Sequence, residues 1–269
     1  MKHANFLQTR ERLISAAKSI TATLNEQAQA DEDGNTLSGK TVRALEESGM
    51  FRLKLPAVLG GAEADPATQI LVLEELAYAN AAASWCAMVG ATAVAMPGAF
   101  LPSTAVKEIF PDGGIPRGSI VAMPIGKTQV VNGGYRLSGR WPFASGIRHS
   151  EWLSAGATVE RNGKTERRMM VFPTASAEIH DNWQVAGLKG TGSCDFSVDG
   201  LFVPEAFSWE QRVDPQQRGG PLYRIEHPGF VANEHAGFAI GVGRRALDAI
   251  AAHESDKQRG YNDKRVSLA

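Results

Sequence analysis

The chain has 269 residues, 43% hydrophobic and 21% charged, a balance that excludes a disordered polypeptide and leaves length for one large domain or two to three smaller ones. A formal net charge of −1 without a long basic run excludes a nucleic-acid footprint. Two distant cysteines, Cys86 and Cys194, exclude a disulfide framework or a thiolate metal site and fit a reducing cytoplasm.

The opening MKHANFLQTRERLISAAKSI mixes charged and apolar residues and lacks a signal-peptide core, so secretion is not expected. Leu7, Leu13, Ile14, Ala17, Ile20 and Leu24 recur at helical spacing and predict an amphipathic helix ending before DEDGN. SGKTVRALEESG predicts a short helix with Ser38 as its cap and Gly49 as its stop. Asp65-Pro66 opens a further helix: the acid caps free amides, and the proline sits in the first turn, where it lacks nothing. Val72, Leu73, Leu76 and Ala77 form its buried stripe; Asn80 to Ser84 breaks it, and a second helix runs from Trp85. Ala77 to Phe100 is apolar but interrupted by Asn80, Ser84 and Pro97, which reads as buried helices rather than a membrane span.

From about Ser119 to Val213 the period changes to two. SIVAMPIGKTQVV, YRLSGRWPF, EWLSAGATV, RRMMVF and CDFSVDGLFV read as strands, punctuated by Asn132-Gly133-Gly134, Asn162-Gly163 and Asp199-Gly200, which favour tight turns. After DPQQRGGP the helical period returns in ANEHAGFAIGVGRRALDAIAAHE, where Gly237 and Gly241, like Ala232 and Ala236, allow close approach of a neighbouring helix. The expected fold class is α+β. It comprises an N-terminal all-α domain (1–112), a middle antiparallel β-barrel or sandwich (113–215) and a C-terminal helical segment (216–269).

Generic motifs carry little. GVGRRA lies inside a helical run without the strand a dinucleotide fingerprint requires. GLKGTGS has phosphate-loop composition without the Lys-Ser/Thr ending, which favours a structural or ligand-adjacent loop. The histidines show no metal-binding spacing, so no metal is expected, and no Gly-x-Ser-x-Gly elbow supports acyl-serine chemistry.

DEDGNTLSGKTVRALEESGMFRLKLPAVLGGAEADPATQILVLEELAYANAAASW resembles the N-terminal domain of the acyl-CoA dehydrogenase superfamily. YRLSGRWPFASGIRHSEWLSAGA and WQVAGLKGTGSCDFSVDGLFVPE resemble its two-component flavin monooxygenases, oxygenase components of the p-hydroxyphenylacetate hydroxylase type. The resemblance spans roughly residues 5 to 255 and implies FMN or FAD, supplied reduced by a separate reductase. It further implies a small-molecule aromatic substrate, a homo-oligomer, a cytoplasmic location, and neither nucleic acid nor membrane as partner. In that family the position matching Phe143 is an aromatic beside the flavin ring, and the one matching Ser145 hydrogen-bonds its central nitrogen and serves catalysis. Ala144 lies between them, and the strand Val121, Ala122 and Met123 adds backbone contacts. Trp85 matches a helix lining the substrate cavity, and Thr92 stands where phenol hydroxylases carry a histidine in GVHPW, against GATAV here.

The family continues beyond the equivalent of Ala269 as a helical bundle, so a truncated chain is expected. Two alternatives stand beside the monooxygenase: an acyl-CoA dehydrogenase with Glu234 as base, and a non-catalytic member that oligomerises through the Gly237/Gly241 face. For single residues the plainer readings are core packing for Trp141 and Trp152 and a structural role for His149.

Overall fold

Local capping chemistry sets the helical part. The structure, a computed structural model, describes residues 2–161, 163–225 and 227–255. Helix α1 (Lys2–Asp33) buries Leu13, Ala17 and Leu24, and extends through the acidic residues where the sequence predicts its end. Ser38 caps α2 (Gly39–Glu47) by accepting the Thr41 amide, and Gly49 follows it with φ +80°. Asp65 accepts the amides of Ala67 and Thr68 at the start of α3 (Pro66–Ala79), whose Val72, Leu73, Leu76 and Ala77 are buried as expected.

Asn80 alone makes the break between α3 and α4 (Ala81–Phe100). Its amide bonds Leu76 while its side chain accepts from Ala83, so the second helix starts four residues earlier than Trp85. Helix α4 is long and apolar enough to cross a membrane, yet 78% of it is buried inside the protein. Helix α5 (Ser103–Ile109) follows, and its Ala105, Val106 and Ile109 join the core of the sheet.

The sheet contains β1 (Gly118–Val131), β2 (Gly134–Trp141), β3 (Trp152–Arg161), β4 (Lys164–Pro173), β5 (Glu178–His180), β6 (Asp195–Pro204) and β7 (Ser208–Glu210). Their order is β5-β6-β2-β1-β3-β4-β7. Every neighbouring pair is antiparallel except β1 and β3, which run parallel because residues 142–151 carry the chain across before β3 starts. Gly156 is required there: a Cβ would lie 2.4 Å from the Ala122 carbonyl oxygen, where β1 bulges between Val121 and Gly126.

Asn132-Gly133 makes the expected β1–β2 turn, with Gly133 at φ +80°. Asn162 lies outside the described residues, and Gly163 beside it has φ +74°. Asp199-Gly200 is no hairpin turn. Strand β6 runs straight through it, and the positive φ of Gly200 is absorbed in a register shift opposite Leu137 and Gly139, held by Ser138 Oγ donating to Asp199 and accepting from the Gly200 amide.

Helix α6 (His227–Ser255) lies against α3. Gly237 and Gly241 face it closely: a Cβ on either would fall 2.5 Å and 2.3 Å from the carbonyl oxygens of Ile70 and Glu74. That face is therefore taken within the chain, whereas Ala232 and Ala236 are exposed.

Candidate flavin and substrate site

Residues after β2 turn away from the strand at once. Phe143, expected on a strand, instead adopts left-handed backbone (φ +62°) and stands 66% exposed, with Trp183 edge-on at 6.2 Å. Left-handed backbone is costly for an aromatic residue, about 1–3 kcal/mol, and is held here by the turn around it. The Ala144 amide bonds Cys194, the Gly146 amide bonds Thr191, and Gly146 is itself left-handed. Ala144 is fully buried. Trp141 is sealed beneath, donating to the Gly156 carbonyl and stacked on Phe196, and Trp152 stacks on Phe207; both pack.

The turn delivers Ser145 into a chain of hydroxyls. Trp85 Nε1 donates to Ser145 Oγ at 2.9 Å, Ser145 Oγ and Ser193 Oγ are 2.7 Å apart, and Ser193 Oγ and Thr191 Oγ1 are 2.7 Å apart. Thr191 Oγ1 donates to the Leu188 carbonyl at 2.8 Å. Both ends are chemically fixed, because an indole N–H only donates and a carbonyl only accepts. The protons therefore run one way: Ser193 gives its proton to Thr191, and Ser145 gives its own to Ser193. Ser145 is left with one open lone pair and no proton to offer. The loop carrying Thr191 and Ser193 is the GLKGTGS segment, which docks on α1 through the amides of Lys189 and Gly190 on the Glu32 carboxylate. Its ligand-adjacent composition was a signal; the pairing with Ser145 was not visible.

Val121 is half-buried against the core of the sheet, while Ala122 and Met123 line a cavity of about 1040 Å³. Met123 is 54% exposed. Met96 and Phe100 of α4, Trp209 of β7 and Phe230 of α6 supply the cavity's apolar wall, and Thr92 is one of its polar groups. Trp85 is not on this wall. Its N–H is spent on Ser145, and its ring meets His235 and Phe238 of α6 edge-on.

Behind Thr92 lies an ion pair that sequence reasoning did not find. Lys54 and Glu234 are both fully buried and 2.7 Å apart. Lys54 also donates to Thr92 Oγ1 at 3.0 Å and to the Phe230 carbonyl at 2.8 Å, which uses all three of its protons. Burial pulls the Lys54 ammonium below the lysine range and pushes the Glu234 carboxyl above the carboxylate range, each opposed by the other's charge. Only Lys54, set between Leu53 and Leu55, hinted at it. Glu234 does not line the cavity, and its one partnered oxygen is held by Lys54, so it is poorly placed to act as a dehydrogenase base. His149 lies by Phe51 with Nδ1 unpartnered and sealed, and burial first, then Arg117, pushes it down to about 4, consistent with a neutral packing role.

Residues 9–109 match the family of acyl-CoA dehydrogenase N-terminal domains. The crystal structure of 3-HSA hydroxylase from Rhodococcus sp. RHA1 superposes with a TM-score of 0.82 at 27% identity, over 90% of this chain and 65% of that one. Residues 9–109 thus carry the acyl-CoA dehydrogenase N-terminal domain. Over most of its length the chain is similar to the oxygenase subunit HsaA of a flavin-dependent monooxygenase from Rhodococcus jostii, 29% identical over 89% of this chain and 65% of that protein. Indole-3-acetate monooxygenase from Pseudomonas putida is 28% identical over 82% of this chain and 56% of its own length. The chain thus spans 56% to 65% of the length of these relatives.

Proposed function

We propose that the chain is the oxygenase component of a flavin-dependent monooxygenase that hydroxylates an aromatic or related small molecule, using flavin reduced by a separate reductase. The observation that carries this reading is Ser145: a hydroxyl with its proton committed and one lone pair open, set beside an aromatic that is turned outward. The residues fit a flavin. Phe143 and Met123 expose apolar surface that a planar ring would remove from water. Ser145 would accept from the N–H that the central ring of reduced flavin carries, and β1 meets this turn two positions before Val121, where Ser119 Oγ donates to the Ser145 carbonyl.

Reduced flavin, when bound, supplies the two electrons with which one atom of dioxygen enters substrate and the other leaves as water. The chain's own part is to bind and to exclude water. The cavity wall of Met96, Phe100, Trp209 and Phe230 suits an aromatic body. Thr92 accepts from Lys54 and donates to a Glu234 oxygen at 3.4 Å, a long contact that a substrate oxygen could replace.

Free, buried Cys86 and Cys194 support a cytoplasmic setting, and exposed Leu247 and Ile250 on α6 support assembly with further copies. Turnover tests the proposal: with a reductase, NADH and an aromatic panel, product acquires one oxygen atom from labelled dioxygen. Peroxide as the sole product across the panel sinks it.

A further inference from the structure

The cavity carries charge as well as apolar surface on its lining. Arg167 on β4, Arg212 after β7 and Arg224 before α6 all line it. Elsewhere on the molecule Arg10, Arg117, Arg140, Arg148, Arg161 and Arg244 each meet a carboxylate. Among the described residues, Arg167, Arg212 and Arg224 are exposed and have no side-chain partner. The nearby carboxylates are committed to a different arginine: Glu166 holds Arg168 at 3.1 Å, and Asp214 lies 3.8 Å from Arg168 while accepting the Glu210 amide at 2.7 Å. Asp214 also lines the cavity, and its charge is the one negative contribution there from a described residue.

The backbone holds two of these arginines together. The Gln211 amide donates to the Arg167 carbonyl at 2.8 Å, and Gln211 Nε2 reaches the Ala122 carbonyl at 3.3 Å. Arg212 next to it is in left-handed backbone, φ +64°, a conformation a long charged side chain rarely takes without a fixed turn. Unpaired guanidinium groups present planar forks of donors that match a carboxylate or a phosphate. A cavity of about 1040 Å³ that joins an apolar wall to such arginines suits a ligand with two unlike ends.

We propose that Arg167, Arg212 and Arg224 form a binding site for the anionic group of an aromatic acid whose ring occupies the cavity. The proposal rests on reading this cavity as the substrate site. A phosphate on the flavin shares the same chemistry, so the test has two arms. In the first, 2-naphthylacetate and 2-naphthylacetamide are titrated into the full chain by calorimetry. The acid binds about tenfold more tightly than the amide, as a charge-assisted contact requires, and salt erodes the difference. The double variant Arg167→Gln/Arg212→Gln, checked by its circular dichroism and melting, binds both alike; Arg244→Gln keeps the preference.

In the second arm FMN is compared with riboflavin, which lacks only the phosphate. If the double variant loses its FMN preference and keeps its preference for the acid, the arginines serve the cofactor and the proposal is overturned. It is overturned equally if wild type binds acid and amide alike, or if the double variant still prefers the acid. If neither naphthyl ligand binds wild type, the substrate reading of the cavity falls with it, which separates that failure from the failure of the arginine site alone.

Discussion

Ser145 shows what a single residue can and cannot disclose. Its motif, PFASG, was legible as a family feature, and so was the aromatic Phe143 beside it. The direction of its hydrogen bond was not, because that is set by Ser193, Thr191 and the Leu188 carbonyl, more than forty positions away in sequence. The direction makes a prediction. Ser193→Ala removes the acceptor of the Ser145 proton and frees that proton to point at a bound ring. Reduced flavin, with a hydrogen on its central nitrogen, then loses ground to oxidised flavin, which has a bare nitrogen there. Anaerobic titration of both redox states should show the ratio of dissociation constants shifting by about fivefold toward the oxidised form, the worth of one ordinary hydrogen bond. An unchanged ratio in a variant that still binds flavin would remove the hydroxyl chain from the argument.

Helices packed by glycine carry the next scale. The four-residue spacing of Gly237 and Gly241 was readable as a face of close approach, but its partner was not: α3, not a second copy, lies there. Tyr78 Oη donating to Asp248 at 2.8 Å and Asn233 Nδ2 donating to Gln69 at 2.7 Å fix the register of α3 against α6, and Arg244 pairs with Glu74. Two alanine substitutions in the same helix should therefore have opposite signs. Gly241→Ala forces the helices apart against a backbone oxygen and costs about 1–3 kcal/mol in chemical denaturation, outweighing its gain in helix propensity. Gly243→Ala meets nothing within 4 Å and gains up to about 1 kcal/mol from the same propensity. Equal effects would mean that the contact is slack.

Across the whole molecule, one buried ion pair joins α6 to the N-terminal helices at the edge of the cavity. Removing one partner leaves a charge in the interior. Glu234→Leu is expected to lose about 3–5 kcal/mol of unfolding free energy, and Lys54→Met/Glu234→Leu to recover most of it, measured as a double-mutant cycle. If the double variant is no more stable than the single one, packing rather than charge holds these residues. The pair spans 180 positions of sequence, which explains why Glu234 could be singled out in the chain but not its pairing with Lys54.

The same division runs through the fold. Helix starts at Ser38 and Asp65, the turn at Gly133 and the buried stripe of α3 depend on neighbours within about four residues, and these were legible in the chain. The parallel run of β1 beside β3, the bulge at Gly200, the outward turn of Phe143, the hydroxyl chain, the Lys54–Glu234 pair and the unpaired arginines were not. Each depends on which distant groups meet once the cores have packed, because a hydroxyl, an ammonium or a guanidinium takes its role from the partner that burial brings to it.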